Sequence, residues 1–179
     1  MPTPATLSAT FSATPEALNF EYTLINTSTS DLFVMDVSGR VSSTGVSTET
    51  GKPVVDFTPN SGTVRLLFRL EQRDPRRRYA VPPRPYVALL AKGETRKITG
   101  SLGLPLIPHN LAPSNDVEEQ TVDHISLIVG IVPTSAFPNA IQQNLGGTPL
   151  WRLPNDRATE QIELRFDATV PAVKVLIPA

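Results

Sequence analysis

The stretch TVDHISL brings a histidine, a serine and an aspartate close together at the start of an apolar run. A serine nucleophile needs a histidine base within hydrogen-bonding distance, and the base needs a carboxylate to orient it. On a β-strand His124 and Ser126 point to one face and Asp123 to the other, because successive side chains alternate. The spacing therefore favours hydrogen-bonded packing at the start of a buried strand over a catalytic triad.

No other pattern in the sequence is typical of catalysis or cofactor binding. The second histidine, His109, stands in LPLIPHNLAP without a nucleophile motif, and the chain has no cysteine. Asp123 and His124 could each bind a metal, but no His-x-His pair and no acidic calcium loop accompanies them. Glu118 and Glu119 lie in SNDVEEQTVD, which we predict to be an exposed acidic loop rather than part of a glycosidase carboxylate pair. We predict no catalytic residue, no metal and no cofactor, and hence a protein that is not an enzyme.

Basic charge is concentrated in the stretch EQRDPRRRYAVPPRPY, which holds five arginines and four prolines in a chain of net charge -1. The strands predicted on either side leave a connection of roughly 13 residues, and connections longer than a usual hairpin loop are often functional. Five arginines against Glu71 and Asp74 give a local charge of +3. The candidate partner-binding residues are Arg73, Arg76, Arg77, Arg78 and Arg84.

Several interpretations of this basic stretch remain open. It could contact another protein, such as the acidic stretch 114–123 of a second copy, because complementary charges steer association. The arginines could contact phosphates, but only Tyr79 and Tyr86 interleave with them, and a pI near 6.1 argues against general nucleic-acid binding. Pro82 and Pro85 form a P-x-x-P motif, which could serve as a proline-motif ligand for another protein, although the flanking arginine is not at the spacing that usually orients such ligands. The remaining interpretation is a solvated loop whose charge and prolines block edge-to-edge strand pairing. We expect a protein partner or self-association, and neither nucleic acid nor a membrane span.

Two further features invite a functional interpretation. Trp151, the sole tryptophan, is predicted to plug the core or a sheet edge, and the alternative is a stacking surface for a carbohydrate or another small ligand. Asn26-Thr27-Ser28 has the pattern of a glycosylation acceptor, but we predict a turn there because the N-terminus lacks the pattern of a secretory signal.

The elements that must position these residues are predicted to be strands. The 18 prolines are spread along the chain and seldom fall inside apolar runs, as expected for turns between short strands. Apolar and polar residues alternate in ALNFEYTLIN, TVRLLFRLEQ and EQIELRFDATV. HISLIVGIVP is apolar on both faces and is predicted to be a central strand. The other predicted strands are TLSATF, DLFVMDV and AVKVLIPA, and YVALLAKGETRKITGSLGLPL is predicted to form a strand, a turn at Lys92-Gly93-Glu94 and a second strand.

Connections and one helix complete the predicted fold. ALNFEYTLIN and DLFVMDV are predicted to form a hairpin. Residues 38–61 are predicted to be loops with at most short strands, of which Val54 to Phe57 is the best candidate. The predicted helix is FPNAIQQNLGG, with Pro138 near its start and Gly146 at its end. We predict a single domain over residues 1–179 that is all-β: a two-sheet antiparallel immunoglobulin-like β-sandwich with one short helix, or alternatively a jelly roll.

The strand that ends in Asn26-Thr27-Ser28, the strand from Leu32 to Val37 and the LLAKGET turn resemble bacterial immunoglobulin-like modules, including the intracellular proteinase-inhibitor type. The resemblance covers about a third of the chain and implies a sandwich of strands. No inhibitory segment is matched, so it implies no binding residue and no inhibitory activity.

Together these observations lead us to expect a binding module that works by protein–protein contact. The alternatives are a self-assembling structural subunit and a sandwich that binds a carbohydrate or another small ligand. No apolar run reaches the ~18 residues that cross a bilayer. We therefore expect a soluble, cytoplasmic protein, although a mature secreted chain would look the same.

Overall fold

The computed structural model describes residues 3–42, 45–58, 61–70, 85–109, 111, 116–154 and 161–179. Within these ranges the chain forms thirteen β-strands and a short 3-10 helix at Thr134–Ala136, which confirms the predicted all-β class. The first six strands are β1 (Ala5–Ala13), β2 (Ala17–Asn26), β3 (Leu32–Val34), β4 (Val37–Ser42), β5 (Gly45–Thr50) and β6 (Val54–Thr58). The other seven are β7 (Thr63–Phe68), β8 (Tyr86–Leu90), β9 (Thr95–Gly103), β10 (Val117–Pro133), β11 (Ile141–Leu145), β12 (Thr148–Arg152) and β13 (Ile162–Pro178).

The smaller of the two main sheets has three antiparallel strands in the order β1-β2-β9. Alternation of side chains along β2 gives this sheet one apolar and one polar face. The buried face of β2 carries Leu18, Phe20, Tyr22 and Leu24. This is the set of inward residues that the sequence predicts.

The larger sheet has eight strands in the order β11-β12-β8-β3-β10-β7-β6, with β13 also paired to β10. β10 is the central strand, as predicted: β13 runs along one side of it, and β7 and then β3 pair with it on the other. β7 and β10 run parallel, whereas the other pairs in this sheet are antiparallel. The sheet thus departs at one pair from the fully antiparallel arrangement that we predicted.

The apolar faces of the two sheets share one hydrophobic core, which is consistent with a sandwich-like arrangement. The rings of Phe20 and Tyr22, from the smaller sheet, lie 6.0 and 5.4 Å from the ring of Phe68 in the larger sheet. Tilted aromatic pairs at such centroid distances add to the stabilisation that burial provides. Among the described residues, no helix is long and apolar enough to cross a membrane.

The helix predicted for FPNAIQQNLGG is wrong, because this stretch forms most of the β11–β12 hairpin. The two strands are joined at Gly146 and Gly147, whose φ angles are +59° and +84°. A two-residue hairpin turn of type I′ needs positive φ at both central positions, and glycine adopts it without a steric penalty. A single glycine after an apolar pattern can end a helix, but a pair is more typical of a hairpin.

The predicted hairpin between ALNFEYTLIN and DLFVMDV is also wrong, because β2 and β3 lie in different sheets. The chain crosses between the sheets immediately after Asn26, whose side chain is buried. Its Nδ2 atom donates hydrogen bonds to the carbonyl oxygens of Ser30 and Leu90, at 2.9 and 3.0 Å. The amide nitrogen that glycosylation would modify therefore holds the crossover, in agreement with the predicted turn.

Residues 38–61 contain more strand than predicted. β4 and β5 pair with each other as a two-stranded antiparallel sheet, where we expected loop. The short strand expected at Val54 to Phe57 is confirmed as β6, which pairs with β7.

Candidate functional site

The first anchoring point of the basic segment, which we define as residues 71–84, is the main chain of Leu70. The side-chain amide of Gln161 accepts a hydrogen bond from the Leu70 N–H at 2.9 Å and donates one to the Leu70 carbonyl oxygen at 2.9 Å. One side chain thus satisfies both main-chain groups of Leu70, as a neighbouring strand would. The residue that precedes the basic segment is therefore held in place.

Two neighbouring features position Gln161. A Cβ atom at Gly130 would lie 2.6 Å from Gln161 Oε1, so the absence of a side chain on β10 makes room for the amide. Arg69 Nη1 donates a hydrogen bond to Glu163 Oε1 at 2.8 Å, and this pair ties the end of β7 to the start of β13. The anchor consequently rests on the central strand of the larger sheet.

The second anchoring point is Pro85, which follows the basic segment. The N–H of Leu153 donates to the Pro85 carbonyl oxygen at 3.1 Å, and the next residues of β8 pair with β12. Trp151 of β12 is half-buried and packs its ring against Phe33 at 5.5 Å between centroids. Its side chain thus has the packing role expected from the sequence.

The candidate partner-binding arginines lie between the two anchoring points, outside the residues that the structure describes. They are Arg73, Arg76, Arg77, Arg78 and Arg84. The described anchors place both ends of this segment on one sheet. The charge of the segment follows from the sequence alone, whereas the fixed ends could not have been found from it.

The structure brings Asp123 and His124 together, contrary to the prediction that they point apart. The pairing of β10 with β13 shifts register between Val122 and His124, and this irregularity places His124 Nε2 3.5 Å from Asp123 Oδ1. Both side chains are more than half exposed, at 59% and 63%. His109 lies apart from them, with its ring Nδ1 3.1 Å from the Val55 carbonyl oxygen.

A shallow cavity of about 250 Å³ opens beside His124 on the outer face of the larger sheet. The charged groups on its wall form a pair, in which Arg165 Nε donates to Asp167 Oδ1 at 2.8 Å. This hydrogen bond lowers the pKa of Asp167, and the Ser126 hydroxyl, opposite it on β10, lowers the pKa further. Ser126 is fully buried and makes no well-aligned hydrogen bond within the described part of the chain, so its effect on Asp167 is the weaker one.

The cavity therefore combines self-paired charges with one exposed histidine. Within the described ranges, no group of three or more histidine, aspartate or glutamate side chains could hold a metal ion. His124 and Ser126 share a face as predicted, but among the described residues the buried Ser126 hydroxyl has no hydrogen-bond partner, so the hydrogen-bonded packing predicted for it is not found.

The strongest electrostatic perturbation lies in a buried cluster that the sequence did not reveal, formed by Tyr22, Asp36 and Arg96. The Tyr22 hydroxyl donates to Asp36 Oδ2 at 3.0 Å, and Arg96 donates to both carboxylate oxygens, from Nε at 2.6 Å and from Nη2 at 2.9 Å. Burial and then the Asp36 charge raise the pKa of Tyr22. Hydrogen bonding to Asp36 raises the pKa of Arg96 against the opposing effect of burial.

This buried cluster joins the two main sheets. Tyr22 and Arg96 belong to β2 and β9 of the smaller sheet, and Asp36 lies in the short connection between β3 of the larger sheet and β4. The side chain of Asp36 is fully buried and that of Arg96 is 22% exposed. The groups with shifted pKa values therefore connect the two sheets, and the Asp36 carboxylate is enclosed between Tyr22 and Arg96.

The acidic stretch around Glu118 and Glu119 is exposed as predicted, but both residues belong to a strand rather than a loop, since β10 begins at Val117. Glu119 Oε2 lies 3.0 Å from Lys174 Nζ on the paired strand β13. The strand continues here because β13 supplies a hydrogen-bonding partner along this whole part of β10.

Comparison of the chain with protein-family models, with curated proteins and with solved structures found no match in any of the three.

Proposed function

We propose that the protein is a non-enzymatic binding module of immunoglobulin-like sandwich type that contacts other proteins through the basic segment, residues 71–84. The observation that carries this proposal is the fixation of both ends of the segment. Leu70 is held by the side-chain amide of Gln161, and Pro85 is held by the main-chain N–H of Leu153. Binding residues are typically carried on connections that a rigid scaffold positions.

The fixed ends reduce the entropic cost of binding. A segment whose ends are already positioned has fewer conformations to lose when it orders against a partner. The segment carries a local charge of +3, whereas the rest of the chain sums to -4. Complementary charge accelerates encounter with an acidic protein surface and disfavours basic ones.

Two further observations support this function over the alternatives. Trp151 is engaged with Phe33 in a hydrophobic cluster, which favours packing over a carbohydrate-stacking role. The buried cluster of Tyr22, Asp36 and Arg96 connects the sheets, which favours a structural over a catalytic use of the most perturbed groups.

A quantitative pull-down with a charge-reversal variant tests the proposal. The variant carries Arg76→Glu, Arg77→Glu and Arg78→Glu, and the control carries Lys52→Glu, Lys92→Glu and Lys97→Glu, which changes the net charge equally away from the basic segment. Proteins of the source cell are captured on each immobilised form, with and without nuclease treatment, and the purified partner is then titrated against each form. We expect the arginine variant to bind the partner at least about tenfold more weakly, or ~1.4 kcal/mol.

Equal capture by the wild type and the arginine variant would contradict the proposal. Loss of the captured proteins on nuclease treatment would assign the segment to nucleic-acid binding instead. Loss with both triple variants would mean that net charge, rather than this segment, governs the interaction.

A further inference from the structure

An exposed apolar patch lies on the outer face of β10 and β13, near the start of β10. Ile107 is 66% exposed and Val117 is 43% exposed, values unusual for large aliphatic side chains. Leu176 is half-buried and Pro178 is exposed. We call these four residues the apolar patch.

Strand pairing makes the patch contiguous. Val117 pairs with Pro178, and Glu119 pairs with Leu176. The segment that carries Leu106 runs beside β13, with hydrogen bonds of 2.8 and 2.9 Å to Lys174 and from Leu176. Because Leu106 and Val175 point into the core, the residues that follow each of them, Ile107 and Leu176, lie side by side on the outer face.

Negative charge borders the patch. Glu119 lies on the same face as Val117, whereas Glu118 pairs with Ile177 on the opposite face, and the stretch 114–123 holds four acidic residues and no basic one. Lys174 offsets part of this charge through its pair with Glu119. A partner that fits must therefore present apolar side chains together with positive charge.

The basic segment of the same chain has this composition. Within EQRDPRRRYAVPPR, five arginines are interleaved with Tyr79, Val81 and three prolines. The Leu70 anchor, which Gln161 forms, lies next to Gly130, and the acidic residues of β10 begin at Glu118. These positions are twelve residues apart on one strand, or about 40 Å at ~3.3 Å per residue before the bulge shortens the path. Arg76 to Arg78 follow Leu70 by six to eight residues, a reach of at most ~29 Å, so they cannot contact the patch of their own molecule while Leu70 keeps its anchor.

We infer that the apolar patch binds the basic segment of a second copy of this chain, so that copies associate head to tail. The inference rests on the proposed role of the basic segment in protein contact and names its partner. Because the two surfaces differ, the contact is heterologous, and repetition produces an open chain of molecules rather than a closed dimer. We expect salt to weaken the association, because it screens the attraction between opposite charges.

Sedimentation velocity with two complementary variants tests this inference. The segment variant carries the three Arg→Glu substitutions at positions 76, 77 and 78, and the patch variant carries Ile107→Lys. Ile107 is the most exposed of the three aliphatic side chains Ile107, Val117 and Leu176, and Ile141→Lys, at a site that is 49% exposed elsewhere, is the matched control. Thermal unfolding of each variant verifies that it folds.

We expect the wild type and the control to form species larger than a dimer as the protein concentration rises, and less so at high salt. Each variant alone should associate at least about tenfold more weakly. An equimolar mixture of the two should stop at a dimer, because one intact segment meets one intact patch and no further contact remains.

A wild type that stays monomeric, or that saturates at a dimer, would overturn the inference. So would a patch variant that associates like the wild type. If self-association fails in these ways but the arginine variant loses its captured partners in the pull-down, the proposed function stands and only the head-to-tail contact is wrong. If the arginine variant keeps both its captured partners and its self-association, both proposals are wrong.

Discussion

Replacing Asp36 by asparagine removes the charge at the centre of the buried cluster while keeping the shape of the side chain. In the wild type the carboxylate accepts two hydrogen bonds from Arg96 and one from Tyr22. The substitution leaves the Arg96 guanidinium without its counter-charge and supplies an amide NH₂ where both neighbours are donors. The two sheets lose a connection that is independent of their apolar contacts.

The magnitude follows from burial. Breaking a buried ion pair by removing one partner costs about 3–5 kcal/mol. Arg96 retains 22% exposure, so water partly solvates its charge, and the lower end of that range, ~3 kcal/mol, applies. With about 2.1 cal/mol/K of unfolding entropy per residue over this chain, the loss lowers Tm by ~8 °C.

Thermal and urea unfolding followed by circular dichroism measure this loss. Tyr22→Phe, which deletes one hydrogen bond to a charged group, should cost about 2 kcal/mol. Asp123→Asn makes the same chemical change as Asp36→Asn on an exposed carboxylate and should stay within ~0.5 kcal/mol of the wild type. A Tm for Asp36→Asn within about 1 °C of the wild type would refute the assignment of this cluster as a connection between the sheets.

Three further predictions follow from the same geometry. Burial raises the pKa of Tyr22, so the folded chain keeps a phenol proton that the unfolded chain loses above about pH 10. The stability that this protonated hydroxyl contributes is therefore complete below pH 10 and is lost above it. In urea titrations above about pH 10, the unfolding free energy of the wild type should fall up to ~1.4 kcal/mol per pH unit more steeply than that of Tyr22→Phe. Gly100→Ala would push a Cβ atom into the ring of Phe20 and should cost about 1–3 kcal/mol in unfolding free energy, whereas Gly103→Ala, with open space around it, should cost less than the former. Gln161→Leu should lower stability by ~1–3 kcal/mol, because it leaves two main-chain groups unpaired, and should also weaken capture of the partner; unchanged capture despite the loss of stability would separate the anchor from binding.

Side-chain alternation was sufficient to predict which residues of β2 and β7 face the core. The apolar residues from Leu18 to Leu24 and from Val64 to Phe68 are buried at the expected spacing of two residues. This spacing can be predicted because successive side chains of a strand point to opposite faces, whatever its neighbours are. Alternation does not identify the neighbour of a strand. The sequence-adjacent strands β2 and β3 therefore appeared to form a hairpin, although the chain changes sheets at Asn26.

The candidate site was predictable only in its composition. The five arginines stand out in the sequence, but the anchors of their segment depend on Gln161, which is 91 residues away from Leu70. Asp36 likewise follows an apolar run with no local sign of its partner, because Arg96 is 60 residues away. Contacts of this kind arise when distant strands pack, and no local pattern encodes them.

Site-specific photo-crosslinking in the source cell tests the central claim, protein contact through the basic segment, most directly. A benzophenone amino acid replaces Tyr79, within the segment, or Thr99, which lies on the exposed face of the smaller sheet and serves as the control. We predict covalent protein adducts from position 79, few from position 99, and loss of the former when the three arginines are changed to glutamate. Equal adducts from both positions, or adducts from position 79 that contain nucleic acid in place of protein, would contradict the account.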